Sequence, residues 1–261
     1  MPKNLSEYRI LSIDIGGTYI KGTILNIEGD MLTGYHTVKT PHLPGPQKLL
    51  AAIRTLVIDF PSFNKVSIGF PGFVKEGIVY TAPSIAPNKW KNINLKRILQ
   101  DEFNCLVKIV NDADMQGLGV IKGIGFEVLI TLGTGLGSAM YLNGTLLPHL
   151  ELSQHPIGKG FIYDNYVGKK VFEDLGISVW NQRVEEVLSV LKNVFNYDHL
   201  YIGGGNSRFI TLDLDDNMTL VSNEDGIKGG AVLWKRNDFI ETPKETFFKK
   251  LSTEVIDKND F

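Results

Sequence analysis

The sequence predicts an α/β protein built from two lobes. Its 261 residues exceed the usual size of one domain, and short apolar runs alternate with segments of helical periodicity. Two similar glycine loops, at residues 14–18 and 132–135, lie about 120 residues apart, which indicates two related units. We therefore assign residues 1–112 to a smaller N-terminal α/β lobe and 113–261 to a larger C-terminal one. The last ~20 residues are expected to pack back on the N-terminal lobe.

The N-terminal lobe is predicted to begin with a strand, a glycine loop and a second strand, after which helices and strands alternate. Its predicted strands are residues 10–13, 23–27, 66–70 and 106–110. Pro46 and Asn94 begin the two intervening helices, since proline favours the first helical turn and asparagine caps one. The last strand ends at Asn111-Asp112, at the edge of a mainly parallel sheet where ligands gather.

The C-terminal lobe is predicted to begin in the same way, with a strand, a glycine loop and a second strand. Its predicted strands are residues 128–131, 139–142 and 200–202, and its predicted helices are a glycine-dotted stretch at 117–125 and residues 180–194, 222–233 and 242–251. Either Ser222 or Asn223 can cap the third of these helices. Residues 149–170 are predicted to be an irregular lid or substrate loop, because so long a connection is uncommon in a compact domain.

Composition excludes several classes of function. Lys and Arg number 27 against 29 Asp and Glu, a net charge of −2 that gives no positive field for nucleic acid. The single cysteine, Cys105, excludes internal disulfides. No stretch reaches the roughly 18 apolar residues of a membrane span, and the first nine residues lack an apolar signal core. We therefore predict a cytoplasmic protein with neither a nucleic-acid partner nor a membrane partner.

The glycine loops are candidate phosphate sites, because backbone N–H groups without a neighbouring β-carbon bind phosphate oxygens well. The candidate donor-site residues are Gly16, Gly17, Thr18, Lys21, Thr134, Gly135, Gly203, Gly204 and Gly205. A tight β-hairpin is an equally good interpretation of any one loop. The loops do not fit the dinucleotide pattern, because both continue into strands, and the P-loop sequence G-x-x-x-x-G-K-[ST] is absent.

Two carboxylates are candidates for chemistry. Asp112 suits a general base for a hydroxyl group, and the Asn111 amide can both donate to and accept from a sugar hydroxyl. Asp14, beside the first glycine loop, suits magnesium. The alternative for each is a helix or turn cap. Asp114 is interpreted as a first-turn charge that offsets the helix dipole.

Five motifs follow one another along the chain: Asp14-Ile-Gly-Gly-Thr-Tyr-Ile-Lys21, Gly69-Phe-Pro-Gly72, Asn111-Asp112-Ala-Asp114, Leu132-Gly-Thr-Gly-Leu-Gly137 and Tyr201-Ile-Gly-Gly-Gly205. Together they resemble the ROK sugar kinases, and within that family the polyphosphate glucokinases. The resemblance runs from about residue 9 to residue 233. It implies the two-lobed actin-like ATPase (ribonuclease H-like) fold, shared with hexokinase, and a homodimer.

The resemblance also implies roles for individual residues. Asp112 would be the base that activates the 6-hydroxyl of glucose or a related hexose, while Asn111 and Glu151 would bind other hydroxyls and Gly72 would lie against the sugar. The glycine loops would face the phosphates of ATP or polyphosphate, with Mg²⁺ at Asp14. Gly203, Gly204 and Gly205 would lie near a nucleotide if one binds.

The chain departs from the family pattern at the acceptor site. Glu-x-Gly-His is usual in the family, whereas here Gln154 takes the histidine position unless a one-residue shift brings in His155; Ser84 stands where relatives often have asparagine. The family's cysteine-rich zinc segment is missing, and the scattered histidines offer no replacement, so we predict no zinc.

Two questions of function stay open. Lys159, Lys169, Lys170 and Lys192 could supply part of a basic track for polyphosphate, or could simply be solvated. The alternatives to a glucokinase are a kinase for an N-acetylated hexosamine and a non-catalytic sugar or nucleotide sensor. The nine residues before the first strand are expected to be too few for the helix-turn-helix of a ROK repressor.

Overall fold

The computed structural model describes residues 8–158 and 160–235. The strands, in chain order, are β1 (Ile10–Ile15), β2 (Tyr19–Leu25), β3 (His36–Lys39), β4 (Lys65–Phe70), β5 (Val74–Lys75), β6 (Ile78–Val79), β7 (Ile93–Asn94), β8 (Leu106–Asn111), β9 (Phe126–Leu132), β10 (Leu136–Leu142), β11 (Thr145–Leu146), β12 (Pro156–Gly158), β13 (Phe161–Ile162), β14 (His199–Gly203) and β15 (Met218–Leu220). The helices are α1 (Pro46–Val57), α2 (Leu95–Phe103), α3 (Asp112–Leu118), α4 (Tyr163–Val167), α5 (Lys169–Phe195), α6 (Asn223–Ile227) and α7 (Gly229–Lys235).

The first large sheet has the strand order β3-β2-β1-β4-β8. β1 pairs antiparallel with β2 across the first glycine loop, which places Asp14 opposite Lys21. β4 runs parallel to β1, and β8 runs parallel to β4. Leu49, Ile53 and Leu99, from α1 and α2, are buried in the core of this sheet. The carboxyl ends of β1, β4 and β8 therefore share one edge.

The second large sheet, of order β11-β10-β9-β14-β15, follows the same plan. β9 and β10 are antiparallel across the second glycine loop, and β14 runs parallel to β9. Helix α5 buries Trp180, Val184 and Leu191 in the core of this sheet. The predicted mixed α/β architecture with two related glycine loops is confirmed.

Helices α3 and α7 lie between the two sheets. α3 contacts β4, β9 and β10, while α7 packs on α3, β1 and β4. A β-carbon on Gly229 would overlap the carbonyl oxygen of Met115, so this close approach requires glycine. The buried Ser67 hydroxyl donates to the Gly230 carbonyl at 2.6 Å and accepts from Trp234 Nε1 at 2.8 Å. α7 is thus fixed to the first sheet.

Several predicted elements differ from the observed ones. The stretch 117–125 is not one helix, because α3 ends at Leu118 and Gly123 and Gly125 adopt left-handed φ angles of 80° and 68°. The segment predicted as a helix over 222–233 is two short helices separated at Lys228, and Ser222 caps the first. Glycines at turns and at close helix contacts produce both differences.

The stretch 149–170 is more ordered than predicted. It contains β12, β13 and α4, and α5 begins at Lys169 rather than near residue 180. Gly176, with φ of 77° inside α5, interrupts the helical spacing and hides this early start in the sequence. The predicted helix at 242–251 and the predicted packing of the chain end lie outside the described residues. Within the described ranges, no helix combines the length and apolar character of a membrane span.

Candidate active site

A cavity of about 510 Å³ lies between the two large sheets, where β1, β4, β8, β9 and β14 end. Most of the predicted site residues line it: Asp14, Gly16, Gly17, Thr18, Lys21, Gly72, Ser84, Asn111, Asp112, Thr134, Gly135, Glu151, Gly204 and Gly205. Residues from both halves of the chain therefore meet at the carboxyl edges of parallel strands, where α/β proteins bind ligands.

Three predicted site residues lie outside this cavity. Gly203 is within β14, and its α-carbon faces Val221 and Leu129. Gln154 lines a neighbouring cavity of about 860 Å³ and donates to Ser153 Oγ at 3.1 Å. His155 is exposed at the end of a short 3-10 turn and lines neither cavity. The one-residue shift considered for His155 thus does not bring it to either cavity.

The two glycine loops meet across the cavity. Thr18 Oγ1 lies 3.2 Å from Thr134 Oγ1, and a β-carbon on Gly17 would lie only 2.8 Å from the Thr134 hydroxyl. The second loop is held by the start of α5, where the Lys169 N–H donates to the Gly133 carbonyl at 2.9 Å. Hydroxyl groups and backbone amides of both loops therefore surround one space.

Lys21 and Asp14 form an ion pair at the floor of the cavity. They face each other on β1 and β2, and Lys21 Nζ lies 3.1 Å from Asp14 Oδ2. Gln116 Nε2 lies 3.5 Å from the other oxygen, Oδ1. The residues that the structure describes include no group of three His, Cys, Asp or Glu side chains able to hold a metal ion. A metal at Asp14 would therefore need ligands from the donor or from water.

Asn111 acts as the N-cap of α3. Its Oδ1 accepts from the Ala113 N–H at 2.8 Å, and its Nδ2 donates to the Gly72 carbonyl at 3.2 Å. Asn111 is thus the cap of this helix, and Asp112, for which a cap was the alternative, is its first residue. The Nδ2 group of Asn111 carries a second hydrogen, and Asn111 lines the cavity. Gly72 has a structural role as well, because a β-carbon there would overlap the Thr81 carbonyl.

Asp112 is the first residue of α3 and lines the cavity. Burial raises the pKa of its carboxyl to about 7. Repulsion by the carboxylates of Asp14, Glu151 and Asp114 contributes to this raised pKa. Asp112 is therefore a carboxylate that can take up a proton near neutral pH.

His149 joins two of these acidic groups, and no feature of the sequence pointed to it. Its Nδ1 lies 3.3 Å from Asp114 Oδ1, and its Nε2 lies 3.6 Å from Glu151 Oε2. Asp114 lies in the first turn of α3, as its interpretation as a charge that offsets the helix dipole requires, and it is in addition the buried partner of His149. His149 and Asp114 are 35 positions apart in the chain, which explains why spacing gave no signal.

Two further cations line the cavity: Lys169, which was suggested for a basic track, and Arg208, which no feature of the sequence indicated. Lys169 lies 3.5 Å from Glu173, and Arg208 is exposed beside its own neighbour Phe209. Two other lysines of the suggested basic track, Lys170 and Lys192, do not line the cavity. Lys170 pairs with Asp174 at 2.7 Å and Lys192 with Asp215 at 2.6 Å, while Lys159 lies outside the described residues.

The chain resembles known proteins over most of its length. Residues 10–148 match the ROK family. The polyphosphate glucokinases of Mycobacterium leprae (strain TN) and Mycobacterium tuberculosis (strain CDC 1551 / Oshkosh) are each 32% identical to it, over 243 and 237 residues. The first alignment covers 87% of this chain and 75% of the relative, and the second covers 84% and 89%.

A solved structure agrees with these sequence relationships. The inorganic polyphosphate/ATP-glucomannokinase of Arthrobacter sp. strain KM superposes with a TM-score of 0.78 at 28% identity, covering 87% of this chain and 98% of that one. The motifs of the two glycine loops and of Asn111-Asp112 lie in the matched residues. The chain therefore belongs to the ROK family and has its two-lobed, actin-like ATPase fold.

Proposed function

We propose that the chain is a hexose kinase that transfers a phosphoryl group from ATP or polyphosphate to the 6-hydroxyl of glucose or a close relative. Membership of the ROK family and the polyphosphate glucokinases among its relatives support this activity. The observation that carries the residue assignments is the position of Asp112. This carboxylate, with a pKa of about 7, lines the same cavity as two glycine loops.

On the acceptor side, Asp112 takes the proton of the 6-hydroxyl as that oxygen attacks the terminal phosphorus of the donor. The bond from this phosphorus to the leaving group then breaks, which releases ADP or the shortened polyphosphate. A base whose pKa lies near the working pH is ionised often enough to act and still basic enough to accept the proton. The remaining Asn111 amide hydrogen, the Glu151 carboxylate and the Ser84 hydroxyl bind other hydroxyls of the ring. Fixing the sugar in this way sets the attacking oxygen in line with the donor.

On the donor side, the two loops bind the phosphates. Backbone amides at Gly17 and Gly135 and hydroxyls at Thr18 and Thr134 lie where negative charge develops. Gly204 and Gly205 line the same end of the cavity, beside the exposed Arg208. Catalysis then comes mainly from positioning and from stabilisation of charge, as phosphoryl transfer requires.

Magnesium fits this arrangement through Asp14. Mg²⁺ usually binds one or two carboxylates and completes its shell with water and substrate phosphates, and Asp14 faces the cavity between the loops with its Oδ1 held only by the 3.5 Å contact from Gln116. When bound, the ion neutralises charge on the donor phosphates. Lys21 keeps the Asp14 carboxylate oriented through their ion pair.

The activity is tested by a coupled assay of glucose, mannose and N-acetylmannosamine, each with ATP and with polyphosphate. Turnover of glucose or mannose with either donor is expected. Preference for N-acetylmannosamine would instead support the hexosamine kinase alternative. If no sugar and donor pair gives turnover, while hexose still binds, the chain is a sensor and the proposed activity is wrong.

A further inference from the structure

His149 is a buried titratable side chain that lines the cavity beside Glu151, and the mechanism above does not use it. It follows β11 in the loop that carries Glu151, and only 7% of its side chain is exposed. It lines both the main cavity and the neighbouring one. A polar ring so well buried requires partners, because an unpaired polar group in such a place is costly.

Two contacts fix the orientation of the imidazole ring. On one edge, Nδ1 lies 3.3 Å from Asp114 Oδ1, in the first turn of α3. One face of the ring is nearly parallel to Phe73, at 6.3 Å between centroids and an interplanar angle of 13°. Since both partners belong to other elements, the ring cannot rotate freely. Its second nitrogen, Nε2, therefore points in a set direction.

The charge of His149 is set by its acidic neighbours. Burial alone lowers the pKa of an imidazole, but Asp114 and Glu151 together raise the pKa of His149 to about 10. Burial likewise opposes ionisation of Glu151, yet His149 and Ser153 lower the pKa of Glu151 below its ordinary value. At neutral pH the ring is thus an imidazolium with an N–H on both nitrogens, and Glu151 is a carboxylate.

One donor and one acceptor in this cluster have no hydrogen-bond partner. His149 Nε2 and Glu151 Oε2 are both buried without one, and the 3.6 Å between them is too long for a hydrogen bond. The other oxygen of Glu151, Oε1, accepts from Ser153 Oγ at 2.8 Å. A hydroxyl group can satisfy both atoms at once, because it accepts one hydrogen bond and donates another.

We propose that His149 is a substrate-binding residue, whose Nε2–H and the Glu151 Oε2 atom together bind one hydroxyl group of the acceptor sugar. This inference rests on the proposed function, since it deepens the acceptor site of that activity. Asp114 and Phe73 then act as positioning residues for the imidazole. The site selects for a hydroxyl at one ring position, because an analogue without it would leave a buried charged donor and acceptor unpaired.

Two amide substitutions separate the roles of the two nitrogens of His149. In His149→Asn the side-chain amide can replace Nδ1 toward Asp114 but does not reach the position of Nε2, whereas in His149→Gln it replaces Nε2. Hexose binding to the full chain is measured by calorimetry without a donor. We expect His149→Asn to weaken hexose binding by about 10–100-fold, the effect of one hydrogen bond to a charged group, and His149→Gln to recover part of that loss.

A panel of monodeoxy hexoses makes the test specific. The unaltered chain should lose affinity for the analogue that lacks the bound hydroxyl, and this loss should be smaller in His149→Asn, where only the Glu151 Oε2 contact to that hydroxyl remains. His42→Asn is the matched control, since His42 is exposed and lines neither cavity. A cooperative thermal unfolding transition for each variant is the check that the variant is folded.

The inference is overturned if His149→Asn binds hexose as tightly as the unaltered chain, or if every deoxy analogue loses the same factor in both proteins. It is also overturned if the unaltered chain binds no hexose. A chain that binds hexose but never phosphorylates it would contradict the proposed function alone, because calorimetry needs no turnover. Kinetics provide a second readout: the hexose KM should rise in His149→Asn, while the donor KM stays unchanged.

Discussion

Thr18 Oγ1 lies 3.2 Å from Thr134 Oγ1, although the two residues belong to different sheets and are 116 positions apart. Each hydroxyl stands at the tip of its glycine loop. Gly17 makes the contact possible, because a β-carbon there would press against Thr134. A phosphate chain placed between the loops would therefore receive hydroxyl donors from both sheets at once.

Thr18→Val removes one of these hydroxyls and nearly keeps the shape of the side chain. We expect the KM for the donor to rise by about 10-fold, the effect of one hydrogen bond to a charged group, and the KM for hexose to stay unchanged. Thr55→Val is a suitable control, because Thr55 is exposed on α1 and its hydroxyl only donates to the Ala51 carbonyl. A rise in the hexose KM alone would contradict the assignment of this loop to the donor.

Substitution by alanine should have different effects on stability at two glycines of the second loop, Gly133 and Gly135. A β-carbon on Gly133 would meet no protein atom within 4 Å, whereas one on Gly135 would overlap the Asp164 carboxylate. That carboxylate accepts from the Leu136 N–H at 2.8 Å, so Gly135→Ala should lower the melting temperature.

Gly133→Ala should fold as the unaltered chain does and weaken donor binding, because its methyl group enters the space given to the phosphates. Melting temperatures and donor KM values for both variants check this. Equal losses of stability would show that the loop is confined by protein on both sides and does not face a ligand.

Activity should fall below neutral pH. Asp112 must be ionised to accept the hydroxyl proton, and burial, together with the Asp14, Glu151 and Asp114 carboxylates, raises its pKa to about 7. We expect kcat/KM for hexose to decrease about tenfold per pH unit on the acid side of this value, since it reports ionisation of the free enzyme. A profile that is flat down to pH of about 5, near the ordinary range of a carboxyl group, would contradict the raised pKa.

Ser67 should matter for stability and not for chemistry. Its buried hydroxyl donates to the Gly230 carbonyl and accepts from Trp234 Nε1, so Ser67→Ala would leave both groups unpaired beneath α7. We expect a loss of about 2 kcal/mol in the free energy of unfolding, measured from urea denaturation at constant m-value. The exposed Ser189→Ala should change little. No difference between the two variants would mean that α7 is not anchored through Ser67.

The sequence was most informative where local chemistry and fold agree. The strands on either side of both glycine loops, and the N-caps at Asn94 and Ser222, were predictable because turn glycines and capping side chains act within a few residues. The early start of α5 could not be predicted, because Gly176 interrupts the helical spacing of its apolar residues. The division between α6 and α7 depends on how closely α7 approaches Met115, which is a tertiary contact.

The same distinction applies to the candidate site. Asp112 and the loop residues could be found because they end strands, and strand ends converge in this kind of fold. The pairing of His149 with Asp114 joins residues 35 positions apart, and no periodicity predicts it. His155 was a reasonable candidate by spacing, but the 3-10 turn at Leu152–Gln154 leaves it exposed to solvent.

The central claim is that Asp112 deprotonates the acceptor hydroxyl, and Asp112→Asn tests it most directly. Because burial raises the pKa of this carboxyl above its value in the unfolded chain, its ionised form destabilises the native state as the pH rises toward 7 and beyond. The amide variant should therefore be at least as stable at pH of about 8, where the penalty is fully present.

The decisive measurement is the turnover of hexose by Asp112→Asn, alongside calorimetric binding of hexose to the same protein. The account predicts that kcat falls by about 10²–10⁴-fold, the usual contribution of a positioned general base, while the affinity for hexose stays close to that of the unaltered chain. Unchanged kcat in a folded variant would contradict the role of Asp112 and, with it, the proposed mechanism.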